Sequence, residues 1–193
     1  MLKLQVIIAS TRNGRLGPAV GTWTMEQARA HAGFDVELVD LAEVNLPLFD
    51  EPNHPRLAQY EHAHTKAWSA IVSRADAYAF VTPEYNYSAP PSLVNALSYL
   101  NREWAYKPVG FVSYGGVSGG TRGVLTSRQI ASTLRMVPVV EAVSIPFFTK
   151  YLDANTGVFD PGEIQARAAR AMFDELLRVA DALSALRTPH SPH

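Results

Sequence analysis

The chain has 193 residues, enough for one substantial core. Hydrophobic residues make up 47% and charged residues 18%, a balance that excludes a disordered chain. The 17 basic and 18 acidic side chains leave a formal charge of −1, which provides no basic excess for nucleic acid or a membrane surface, and the lack of cysteine excludes disulfides, thiol catalysis and cysteine-ligated metals.

Leu2 to Ala9 is aliphatic on both alternations, which predicts a strand buried on both faces in a parallel sheet. It is too short to span a bilayer, Gln5 interrupts it, and no signal peptide is read; the lack of cysteine fits the expectation of a cytoplasmic protein. A polar, glycine-punctuated turn runs from Ser10 to Pro18. A helix over Pro18 to Ala32 follows, with Val20, Trp23, Gln27 and Ala30 on one stripe and Gly33 as its stop signal. Phe34 to Leu41 reads as the second strand, and Ala42 to Pro55, with three prolines, as a long loop. Arg56 to Ala75 is predicted helical from apolar residues recurring at three- and four-residue steps.

Ala77 to Val81 is the third strand. It leads into Thr82-Pro83-Glu84-Tyr85-Asn86-Tyr87-Ser88-Ala89-Pro90-Pro91, a loop rich in hydrogen-bonding groups that launches a helix at Pro91. Lys107 to Tyr114 is the fourth strand and ends in the glycine-dense segment Gly115 to Gly120. A helix over Thr121 to Met136 and a fifth strand over Val137 to Ile145 follow. Asp160-Pro161 opens the last helix, whose stripe is Ile164, Ala168, Met172, Leu176, Val179, Leu183 and Leu186. Residues 1–187 are expected to form one domain, with a disordered tail from Thr188 to His193.

Five strands alternating with five helices imply a three-layer α/β sandwich with right-handed crossovers. Ligands of such sheets lie beyond the carboxyl ends of the strands. Three unusual loops lie at such ends. In the first, Ser10, Thr11, Arg12 and Arg15 precede a helix N-terminus and can hold a phosphate; the alternative is a capped turn with two solvated arginines. In the second, Glu84, Tyr85, Asn86, Tyr87 and Ser88 can recognise a heteroaromatic ring; the alternative is tyrosines that only pack the loop against its own helix. In the third, glycines allow close backbone approach to a planar ligand, or form a flexible connector.

Other chemistries find little support. There is no G-x-x-x-x-G-K-[ST] and no G-x-S-x-G. The six histidines are scattered, His62 and His64 share no helix face, and no metal cluster is expected. Asp40 and Asp50 read as loop carboxylates. A bound cofactor is therefore expected to carry the chemistry.

Ile8-Ala9-Ser10-Thr11-Arg12-Asn13-Gly14-Arg15, the P-E-Y-N-Y-S segment with Leu93-Val94-Asn95-Ala96-Leu97 after it, and Ser113-Tyr114-Gly115-Gly116 resemble, in order, the motifs of the NADPH-dependent FMN reductase family. The resemblance implies a flavodoxin-like fold of strand order 2-1-3-4-5, bound FMN, a nicotinamide donor (NADPH or NADH), and a homodimer or homotetramer. It implies reduction of flavins, quinones, azo dyes, nitro compounds or metal oxyanions in two steps. Carried over by position, Ser10, Thr11, Arg12 and the backbone of Leu16 and Gly17 would hold the FMN phosphate. Pro83, Glu84, Tyr85, Asn86 and Tyr87 would line the ring, and Ser113, Tyr114, Gly115 and Gly116 would support its pyrimidine side. Ala9 stands where glycine is usual and Gly17 where many members have serine, which shifts phosphate binding toward Arg15 or backbone N–H groups. Glu84 and Arg102 would pair across a subunit interface, or Arg102 would be a solvated helix-end residue. A flavodoxin-type electron carrier and a cofactor-free sensing domain are the alternative functions.

Overall fold

In the computed structural model, which describes residues 1–187, five parallel strands form one sheet in the order β2-β1-β3-β4-β5. They are β1 (Leu2–Ile8), β2 (Phe34–Asp40), β3 (Ala77–Pro83), β4 (Pro108–Gly115) and β5 (Val137–Pro146). The helices are α1 (Gly17–His31), α2 (Leu41–Val44), α3 (Ala63–Ser73), α4 (Pro91–Ser98), α5 (Thr121–Thr133), α6 (Glu163–Ala182) and α7 (Ser184–Arg187). The sandwich is the one read from the alternation of strands and helices, and the strand order is the one the family resemblance implies. The expected disordered tail, Thr188 to His193, lies outside the described residues. Among the described residues no helix is long and apolar enough to cross a membrane.

The central strand β3 is buried along its whole length, because helices cover both faces of the sheet. One core joins α1 and α6 to the sheet through Val20, Trp23, Met172, Phe173 and Leu176. The other joins α3, α4 and α5 to it through Trp68, Leu93, Leu97, Val124 and Ala131. Trp68, Trp104, Tyr78 and Phe80 interlock edge to face in that second core. Each such buried aromatic contributes roughly 1.5–3 kcal/mol of transfer free energy.

Several boundaries differ from the sequence reading. The helix expected over Arg56 to Ala75 begins only at Ala63; before it, Pro55–Leu57 is a single 3-10 turn, which Ala58 ends at φ 51°. The loop expected over Ala42 to Pro55 holds most of α2, which Asp40 caps by accepting from the Ala42 N–H at 2.9 Å. On α1 the buried stripe is Val20, Trp23 and Ala28, with Ala30 exposed. On α6 it is Ala169, Met172, Phe173, Leu176 and Ala180, while Ile164 is exposed.

Candidate functional site

The loops after β1, β3 and β4 meet at the carboxyl edge of the sheet, where register pairs Ile8 with Val81 and Pro83 with Tyr114. This is the crevice position that doubly wound sheets use for ligands.

The β1–α1 loop is anchored at both ends. The Ala9 N–H donates to Val81 O at 2.9 Å, and the Ser92 hydroxyl donates to Ala9 O. Arg15 braces it from below: its guanidinium donates to Ser10 O at 2.9 Å and to both oxygens of Asp40 at 2.8 and 2.7 Å. Arg15 is thus engaged inside the chain, whereas Arg12 is exposed and its guanidinium makes one 3.4 Å contact, to Asn13 O. No side chain caps the N-terminus of α1.

Gly17 opens α1 at the tightest point of the loop. A Cβ placed there would lie 2.1 Å from Ser10 Oγ and 2.9 Å from the Tyr114 hydroxyl. Ser10 and Tyr114 are buried, and among the described residues their hydroxyls have no hydrogen-bond partner other than each other, across Gly17. Burial raises the Tyr114 phenol to about 12, so it stays a neutral donor. Buried polar groups are normally paired. Two buried hydroxyls with no partner but each other, beside an uncapped helix N-terminus, therefore fit a phosphate ester.

The β3–α4 loop is a two-residue hairpin turn. Tyr85 and Ser88 exchange both backbone hydrogen bonds at 3.0 Å, and Asn86 and Tyr87 sit at φ 51° and 65°. Positive φ at both central positions is the geometry that matches strand twist, and asparagine tolerates it better than tyrosine. Tyr87 is held there by Arg122, whose guanidinium carbon lies 4.1 Å from the centre of the Tyr87 ring.

Glu84 ties this turn to the β4–α5 loop. It accepts from Ser118 Oγ at 3.0 Å, from the Arg122 N–H at 3.0 Å and from the Arg122 guanidinium at 3.1 Å. Its partner within the chain is thus Arg122. Arg102, expected to pair with Glu84 across an interface, lies near Ala75 and Lys107 at the opposite edge of the sheet. A second tie runs through Thr126, which accepts from the Ala89 N–H at 2.9 Å. Gly123 brings α5 onto the turn, since a Cβ there would lie 2.9 Å from Ser88 O and 3.3 Å from Pro83 O. The β4–α5 loop itself needs glycine: Gly120 sits at φ 85°, where a Cβ would lie 2.8 Å from Tyr114 N.

The third motif divides between two faces of the strand. Ser113 is buried and donates to Val143 O at 3.4 Å, while Tyr114 points to the β1–α1 loop and packs on Phe148 at 4.9 Å. Gly116 is exposed and has open space around its Cα. Sequence reasoning missed Asp40, Ser92, Ser118, Arg122, Gly123 and Thr126. Only Gly123 carried a local signal, as a glycine inside a helical pattern.

Away from this edge, His62 and His64 do not stand apart as helical spacing suggests. His62 precedes α3, and the two rings stack at 5.1 Å with an interplanar angle of 17°. His64 and Tyr99 both bond Asp50, whose pKa is lowered by those bonds against the opposing effect of desolvation. Among the described residues no group of three or more histidines and carboxylates is arranged to hold a metal ion.

A family model described as NADPH-dependent FMN reductase matches residues 2–150. A NAD(P)H-dependent FMN reductase of Schizosaccharomyces pombe is 40% identical over 148 residues, 75% of this chain and 74% of that protein. Another NAD(P)H-dependent FMN reductase, of a Nectria species, is 31% identical over 195 residues, 96% of this chain and 97% of that one. Among solved structures, the flavoenzyme NAD(P)H:(acceptor) oxidoreductase FerB of Paracoccus denitrificans superposes with a TM-score of 0.74 at 19% identity, covering 94% of this chain and 98% of its own. This chain belongs to the NADPH-dependent FMN reductase family.

Proposed function

We propose that this protein is an FMN-dependent NAD(P)H oxidoreductase of the cytoplasm. In this reading it takes hydride from NADPH or NADH and delivers it to a quinone, flavin, azo, nitro or metal-oxyanion acceptor in a ping-pong cycle. One observation carries the reading beyond family membership: the buried hydroxyls of Ser10 and Tyr114 around Gly17, which among the described residues have no partner but each other. They form a cradle suited to a phosphate ester, and with Arg12 and the amides at the start of α1 they would hold the FMN phosphate.

Bound FMN supplies the redox chemistry. The chain's own residues position and shield it. Pro83, Glu84, Tyr85 and Asn86 form one wall, and Gly115 and Gly116 let backbone approach from the other side. Tyr87 and Arg122 border the mouth. We assign residues 1–187 to one domain acting as a homodimer or homotetramer.

The absorbance spectrum of the purified protein, followed by anaerobic titration with NADPH and NADH, tests this reading. Flavin bands that bleach with either donor, and recover on adding a quinone, are expected. A colourless protein that takes up no added FMN refutes it. A flavoprotein that oxidises almost no NADPH with a quinone is an electron carrier instead.

A further inference from the structure

A groove of about 380 Å³ opens beside the β1–α1 loop, on the side toward α2. That size falls within the range of small-molecule sites, roughly 300–1,000 Å³. Its walls include Leu41, Asn45 and Leu48 on one side and Pro91 and Asn95 on the other, and it shares Thr11 with the phosphate loop. None of its lining residues is charged.

The groove is shaped by fixed side chains. Asn95 is fixed as a strut: its carbonyl accepts from the Phe49 N–H at 2.9 Å and its amide donates to Pro47 O at 2.7 Å. Leu48 is 86% exposed at the rim, and Pro91 is exposed on the other wall. Asn45 is exposed at φ 49°, and among the described residues its side-chain amide bonds no other protein group, so it is open to a ligand. Asp40, the carboxylate at the end of β2, is occupied by Arg15 and by the Ala42 N–H. The groove thus offers Leu48 and Pro91 on facing walls, polar groups that include an accessible amide, and no charge.

That chemistry suits an uncharged, planar heteroaromatic ring with a hydrogen-bonding edge, tethered to something that reaches the β1–α1 loop. We propose that the groove binds the adenosine end of the nicotinamide donor, with the base between Leu48 and Pro91 and its polar edge at the Asn45 amide. The inference rests on the oxidoreductase reading above. Of the substrates in that reading, the donor is the one that carries such a ring on a flexible diphosphate. Because no cation lines the groove itself, what it reads is the base.

The test compares NADH, NADPH and reduced nicotinamide mononucleotide, which lacks the adenosine, as reductants of the FMN holoenzyme in anaerobic stopped flow. The wild type is expected to react with the two dinucleotides at least about tenfold faster, per mole of donor, than with the mononucleotide. Asn45→Gly keeps the left-handed backbone and removes the amide, and Leu48→Ala removes an exposed side chain, so neither disturbs folding. Together they are expected to slow both dinucleotides by about tenfold and leave the mononucleotide unchanged. Equal wild-type constants for all three donors overturn the proposal. So does a double variant that slows the mononucleotide equally, or one that changes sedimentation while leaving the donor ratio intact. If no donor bleaches the flavin, the oxidoreductase reading fails first and this proposal falls with it.

Discussion

Glu84 holds Arg122 twice, accepting from its backbone N–H at 3.0 Å and from its guanidinium at 3.1 Å, and so joins the turn after β3 to the first turn of α5. The carboxylate side chain is 9% exposed and the arginine 42%, so the guanidinium contact is partly screened while the amide contact is not. Glu84→Ala is expected to cost about 2 kcal/mol of stability, and Glu84→Gln, which keeps an acceptor for the amide, about 1 kcal/mol. Both are expected to loosen flavin binding. Urea unfolding with and without added FMN measures the two effects, and equal stability for all three proteins would refute the bridging role.

The two arginines of the first loop separate by function. Arg15→Ala leaves Asp40 without its bidentate partner and is expected to cost about 3 kcal/mol in unfolding free energy. Arg12 is exposed, so Arg12→Ala is expected to leave the unfolding midpoint in place and weaken FMN affinity about tenfold or more. An Arg12→Ala protein purified with stoichiometric yellow flavin contradicts this assignment.

Gly17 has no room for a side chain. Gly17→Ser brings a Cβ to 2.1 Å from Ser10 Oγ, and forcing Ser10 aside is expected to cost roughly 1–3 kcal/mol and flavin retention with it. Ser10→Gly in the same chain removes the clashing hydroxyl. The double variant is expected to regain thermal stability but not full FMN affinity, which calorimetry and flavin titration resolve.

Tyr87 combines backbone strain with an exposed ring stacked on Arg122. In Tyr87→Gly the relief of positive φ and the loss of the stack offset each other within about 1 kcal/mol. Stability is therefore expected to hold while steady-state NADPH oxidation slows. Unchanged turnover would place Tyr87 outside the working site.

Lys107 provides a pH signature. It is 7% exposed and donates to Val72 O at 3.1 Å, Ser73 O at 3.4 Å and the Tyr78 hydroxyl at 3.2 Å. Burial, and then the nearby Arg187, lower its pKa from 10.5 to about 8. Between those values the unfolded chain binds the extra proton, so stability rises with pH across that window; below it both states are protonated and the folded state carries the full penalty. Wild type is expected to gain on the order of 1–2 kcal/mol relative to Lys107→Met between about pH 8 and about pH 9.5. Parallel unfolding curves for the two proteins across that range would refute it.

Much of this architecture is legible in the residues. Ala77 to Val81 is apolar at every position because helices cover both its faces, and Pro91 marks a helix start because its ring suits a first turn. The helix drawn from Arg56 fails because Leu57 and Tyr60 match helical spacing by coincidence, while the chain around Ala58 turns left-handed. The Glu84–Arg122 link was not legible, since the two residues are 38 positions apart and only the packing of α5 on the turn brings them together. Arg15 looked like an anion ligand for the same reason: its carboxylate partner, Asp40, lies on another strand.

The missing side chain at Gly123 has a wider consequence. No Cβ stands between α5 and the carbonyls of Pro83 and Ser88, so the turn and the helix meet backbone to backbone. Together with the Glu84 and Thr126 hydrogen bonds, this close approach ties the two sides of the crevice to each other. A methyl group at position 123 would act as a shim, moving the whole helix outward and widening the slot along its length. A lineage needing to accept thicker or bulkier oxidants could gain that room with one substitution behind the wall, at a position that presents no side chain to the ligand.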